Sequence, residues 1–134
     1  MANALYPKWK EQLLQFTTNN NLSAGTVKVA LVDTGVYTYS SASQFYSSVS
    51  AAAVGTPQTI GSKTFVNGVF SGGNVTFSAV TGASVEALVI YIDTGSTATS
   101  PLVAYIDASV TGLPVTPNGG DITITWNGSG IFAL

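Results

Sequence analysis

Apolar positions fall into three nearly unbroken blocks, residues 27–32, 85–92 and 102–106, rich in β-branched residues. Runs of this kind fit strands covered on both faces, so they are expected at the centre of a sheet. Two other stretches alternate strictly. In Val75-Thr76-Phe77-Ser78-Ala79 and Ile122-Thr123-Ile124-Thr125-Trp126, the apolar members point one way and Thr or Ser the other, which predicts strands with one wet or partner-facing side. Near the start the period changes from two to about 3.6. Pro7 suits a first helical turn, and Trp9, Leu13 and Phe16 recur at i, i+4 and i+7, predicting a short helix over 7–17 that the Asn19-Asn20-Asn21 run ends.

A second short helix is expected over 41–49, capped by Ser41 or Ser43, with Phe45, Tyr46 and Val49 inward. Residues 50–63 are small and polar without periodicity and read as a long surface loop. Turn signals recur at Asn67-Gly68, Gly72-Gly73-Asn74, Asp93-Thr94-Gly95, Pro117-Asn118-Gly119-Gly120 and Asn127-Gly128. Strands joined by such short turns predict a mainly β (α+β) chain: an antiparallel sandwich or barrel-like core with a short N-terminal helix. At 134 residues the chain is expected to form a single domain over 1–134, with an N-terminal segment over 1–20 and a β-rich body over 26–134.

Composition adds a surface of unusual character. Charged residues make up 7% of the chain, against roughly 25% in an average soluble protein, so 32 Ser and Thr residues carry much of the solvation. Such a surface loses little side-chain entropy and meets little repulsion on association. All four basic residues are lysines and the net charge is −2, so the counterion-release term for nucleic acid is missing and no nucleic-acid partner is expected. No apolar stretch approaches the length of a membrane span or a secretory h-region, so neither export nor membrane insertion is expected.

Candidate chemistry is sparse. The chain has no His and no Cys, which removes Ser-His-Asp and Cys-His catalysis and the usual zinc and copper sites. Asp33, Asp93, Asp107 and Asp121 could meet a hard cation, but none sits in a dense acidic loop; no metal or other cofactor is expected. Asp33-Thr34-Gly35 and Asp93-Thr94-Gly95 each close an apolar run. Paired Asp-Thr-Gly loops are the signature of aspartic peptidases, which need two carboxylates close enough to share a proton. The same tripeptide is also ordinary turn chemistry after a buried strand, and Asp107 repeats the strand-then-Asp pattern without a glycine. The turn reading is preferred, with a peptidase using Asp33 and Asp93 as the remote alternative. A carbohydrate-binding module displaying Trp126 and Tyr37 or Tyr39 is a third possibility, although alternation places Trp126 in the core.

Taken end to end, the chain resembles a family of small tailed-bacteriophage virion proteins similar to head decoration or cement proteins. The resemblance rests on residues 2–6, on 27–34 followed by Tyr37-Thr38, and on 64–70, 75–82, 85–95 and 112–123. It departs most after Tyr37, where residues 46–50 stand in place of acidic residues and a proline. The resemblance implies a non-enzymatic structural protein, made in the host cytoplasm and bound on the capsid surface, with the major capsid protein and further copies of itself (a homodimer or homotrimer) as partners. A tail, tail-tip or head-fibre component is the alternative. Leu5, Tyr6 and Trp9 are expected assembly contacts.

Overall fold

A computed structural model describes residues 3–15, 17, 20–108 and 110–134. The protein is mainly β, with antiparallel sheets and one N-terminal helix. Strand β1 (Ala4–Leu5) leads into helix α1 (Pro7–Gln15). The body follows as β2 (Thr26–Val32), β3 (Ala53–Thr59), β4 (Thr64–Val66), β5 (Val69–Ser71), β6 (Val75–Phe77), β7 (Ala87–Asp93), β8 (Leu102–Ile106), β9 (Ile122–Ile124) and β10 (Phe132–Ala133).

The main sheet has the order β1-β8-β7-β2-β3. The three apolar blocks therefore occupy its middle, and β8 is buried at every position, as is β7 up to Asp93. A three-stranded sheet, β10-β5-β4, and a two-stranded ribbon, β6-β9, complete a sandwich-like layout, with β6 lying against β3. In the ribbon Val75, Phe77, Ile122 and Ile124 are buried while Thr76 and Thr123 face out, their hydroxyls 3.1 Å apart. That is the alternation the sequence predicts, produced by the period of two along a strand.

Helix α1 starts where Pro7 supplies a pre-set φ, and the Tyr6 carbonyl accepts the N–H groups of Trp9 and Lys10. Its described turns run to Gln15, and Thr17, the expected limit, is not helical. The amide of Asn20 then bonds the Gln12 carbonyl at 2.7 Å and closes that end. Trp9 is 1% exposed and meets the Phe132 ring edge-on at 5.8 Å; Leu13 is partly buried against the core. Phe16 and Asn19 lie outside the described residues.

Two expectations fail. The helix over 41–49 is a single 3-10 turn, Tyr46–Ser48, because neither Ser41 nor Ser43 caps it and Phe45 stays extended in a bridge to Pro101. The loop over 50–63 contains a second 3-10 turn and then β3, an edge strand of the main sheet. Its irregular pattern hides it from a periodicity test. Between Val29 and Leu31 the register jumps, so β3 carries extra residues there and its side chains do not alternate cleanly.

Candidate functional site

The two Asp-Thr-Gly copies end the neighbouring central strands β2 and β7. In each, the carboxylate turns back on its own chain: Asp33 Oδ1 accepts the Gly35 N–H at 2.8 Å, and Asp93 Oδ1 accepts the Gly95 N–H at 2.9 Å. Asn21, Asn118 and Asn127 close their turns in the same way. The repeated tripeptide is thus one instance of a turn device used along the whole chain.

Topology also separates the two carboxylates. Because β2 and β7 are antiparallel, Asp93 lies opposite Thr26, whereas Asp33 follows seven residues further along β2. At roughly 3.3 Å per residue the two groups are about 20 Å apart. A shared-proton dyad requires like charges about 3 Å apart, so Asp33 and Asp93 of one chain do not form the peptidase centre of the remote alternative. We expect Asp33→Asn, which keeps the acceptor, to leave stability nearly unchanged, and Asp33→Ala to cost about 1 kcal/mol in urea unfolding.

The copies differ in what surrounds them. Asp93 pairs with Lys28 at 2.8 Å; the ammonium, helped by the Gly95 N–H, holds its carboxyl below the ordinary value of 3.8. A carboxyl whose folded pKa is depressed contributes stability above its unfolded pKa and loses it as pH falls through the folded value. Acid titration should therefore show stability falling below about pH 4, and Asp93→Asn should flatten that limb.

At the opposite end of the strands, Glu86 serves Thr34. Its Oε1 accepts both the Thr34 N–H at 3.0 Å and the Thr34 hydroxyl at 2.9 Å. Bonds from Ser84 and Thr34 hold the Glu86 carboxyl below its usual range. Glu86, Asp107, Tyr37, Tyr39 and Tyr105 border an open cavity of about 530 Å³. Tyr39 is wedged between Tyr6 and Tyr105, at 5.3 and 5.4 Å, and Tyr37 shares a hydroxyl contact of 2.9 Å with Tyr6. These rings form a packed cluster rather than a flat platform for a sugar. Trp126 is buried as expected, its Nε1 donating to the Gly73 carbonyl at 2.9 Å.

Among the expected assembly contacts, Tyr6 is fully buried and Trp9 is 1% exposed. Both complete the core of their own chain: Tyr6 just precedes α1 and Trp9 lies within it, and the helix packs on the body. They are corrected from contact residues to core residues; only Leu5, half-buried in β1, keeps surface.

Three structural placements escaped the sequence. Lys63 directs its ammonium at the carbonyls of Leu22 and Gly25, both at 2.7 Å, and Ser23 at 3.3 Å. Asn3 Oδ1 accepts the N–H groups of Asp107 and Ala108, at 2.8 and 2.9 Å, tying the N-terminal segment to the end of β8. Glu86 carried a readable signal, a lone charge interrupting an apolar run; the other two are long-range contacts with no local pattern. Among the described residues no group of three or more acidic side chains is placed to hold a metal ion, and no helix is long and apolar enough to cross a membrane. No protein-family model matches the chain, and no curated protein is found similar to it.

Proposed function

We propose that the chain is a non-enzymatic structural protein of a tailed-bacteriophage virion, a decoration or cement protein that binds the outer surface of the major capsid protein lattice and stabilises the head. The observation carrying this reading is a surface with few charges, several of them tied up in place. Lys8 pairs with Glu11, Lys28 with Asp93, and Lys63 is spent on backbone carbonyls. What remains outward is dominated by Ser, Thr and Gly, with the exposed apolar side chains of Leu14, Val36, Phe65, Val66 and Leu134 among them. Surfaces of this kind associate with other proteins at low electrostatic and entropic cost. The resemblance to phage head proteins supports the same reading, and many weak contacts repeated over a lattice supply the overall affinity.

The test adds purified protein to capsids that lack it. Saturable binding at a fixed stoichiometry, with increased resistance of the heads to heat, is the expected result. Density for the chain confined to the tail in electron microscopy of virions would instead favour a tail or fibre component and reject the capsid assignment.

A further inference from the structure

Among the described residues, strand β4 has an open edge, and the turn beside it fixes which of its amide groups face outward. It is joined to β5 by the two-residue turn Asn67-Gly68, with φ of 53° and 77°, the left-handed pair of a type I′ hairpin. In such a hairpin the flanking residues, Val66 and Val69, exchange both ladder bonds, so the next pair, Phe65 and Phe70, directs its amide groups away from each other. An independent contact agrees: the Phe70 carbonyl accepts the Ile131 N–H at 2.7 Å on the β10 side. The N–H and C=O of Phe65 therefore face the free edge.

That edge lacks the usual protection. The outer strands of the main sheet are blunted, β1 by having two residues and β3 by Pro57 and its register jump. Thr64-Phe65-Val66 contains no proline, glycine or charge, and the preceding Lys63 is held on the carbonyls of residues 22, 23 and 25. Phe65 is 46% exposed and Val66 63%.

We infer that β4 pairs with β4 of a second copy, antiparallel about a twofold axis at Phe65, merging two three-stranded sheets into one of six strands. The commitment to a second copy follows from symmetry. A twofold antiparallel pairing sets one residue opposite its own mate, and Phe65, at the middle of the strand with its amide groups outward, is the position that can bond to its image. Thr64 then lies opposite Val66 of the other copy. The aromatic row Phe132-Phe70-Phe65, with centroids 5.4 and 5.3 Å apart, continues across the axis into its image. Neither strand brings a charge to oppose the contact. Three residues bury far less than the roughly 800 Å² per partner of a standard interface, so the pair is weak in dilute solution and forms at high local concentration. The inference concerns the isolated chain and does not depend on the virion reading.

The chain has no cysteine, so single-cysteine variants report the register directly. Residues facing each other in a hydrogen-bonded antiparallel pair have Cα atoms about 5.5 Å apart, inside the disulfide range of about 4.4–6.8 Å. Phe65→Cys should therefore oxidise to a covalent dimer roughly tenfold or more faster than Leu14→Cys, a control on α1 that is more exposed than Phe65. Val66→Cys alone should cross-link slowly, because its symmetry mate lies diagonally beyond reach, whereas Thr64→Cys mixed with Val66→Cys should give the heterodimer. Sedimentation velocity over a concentration series should show wild type moving from monomer to dimer, and Phe65→Lys remaining monomeric while still folded, its melt lowered only by the few degrees that losing the stack on Phe70 costs. Equal cross-linking rates at 14, 65 and 66, a trimer, a wild type that stays monomeric at millimolar concentration, or a Phe65→Lys variant that still dimerises would each overturn the proposal.

Discussion

Trp9→Ala is expected to destabilise the protein by about 3–5 kcal/mol, the cost of deleting a large buried aromatic side chain and leaving its cavity. At a few degrees per kcal/mol for a chain of this size, the melting temperature should fall by roughly 10 °C or more. The reason is position. Trp9 is the one fully buried side chain of α1, and its edge-on contact with Phe132 joins the helix to β10. Urea unfolding should show the loss as a lower midpoint with the same slope. A change below about 1 kcal/mol would mean that α1 is an undocked arm, and would restore Trp9 as a candidate for contact with a partner. Trp9→Phe should be milder than Trp126→Phe, since Trp9 Nε1 has no hydrogen-bond partner among the described residues while Trp126 Nε1 satisfies the Gly73 carbonyl.

The second large effect is alkaline unfolding. Burial pushes the phenol of Tyr6 far above its ordinary value of 10.0, reinforced by the hydrogen bond with Tyr37. Burial likewise raises Tyr46, Tyr91 and Tyr105, and Tyr46 stacks on Tyr91 at 3.9 Å. A group whose folded pKa lies above its unfolded one contributes its full stability below the unfolded value and loses it as pH rises. Several tyrosines shifted the same way should make the fold fail cooperatively as pH climbs past about 10. Phenolate absorbance should appear together with the loss of near-ultraviolet circular dichroism, rather than before it. Tyr6→Phe should cost about 1 kcal/mol at neutral pH and reduce the steepness of the alkaline limb. Tyrosines that ionise near pH 10 in a still-folded protein would refute this account.

What was legible in the sequence was what a local period encodes. Residues 27–32, 85–92 and 102–106 could be placed at the sheet centre because continuous apolar strands are stable only when covered twice, and the Thr-bearing faces of β6 and β9 followed from strict alternation. Strand β3 was not legible, since its pairing with β2 absorbs extra residues and breaks the period. The Asp-Thr-Gly question was half legible: turn chemistry could be preferred, but only the antiparallel register of β2 and β7 set the two carboxylates far apart. Tyr6 and Trp9 were misassigned because an apolar stripe looks the same whether it meets its own core or another chain. The open edge at Phe65 was foreshadowed by Asn67-Gly68 alone, and its exposure became visible once β5 was seen to have β10 on its far side.

The tie between the N-terminal segment and the far strands has a consequence for folding order. Asn3 is bound at the end of β8 by a contact spanning 104 residues, β1 pairs with β8, and Trp9 rests on Phe132. Closing loops of that length is slow beside the formation of local hairpins such as β4-β5. Tyr6 and Trp9, both destined for the interior, are therefore expected to leave solvent late, after the centre of the main sheet has formed.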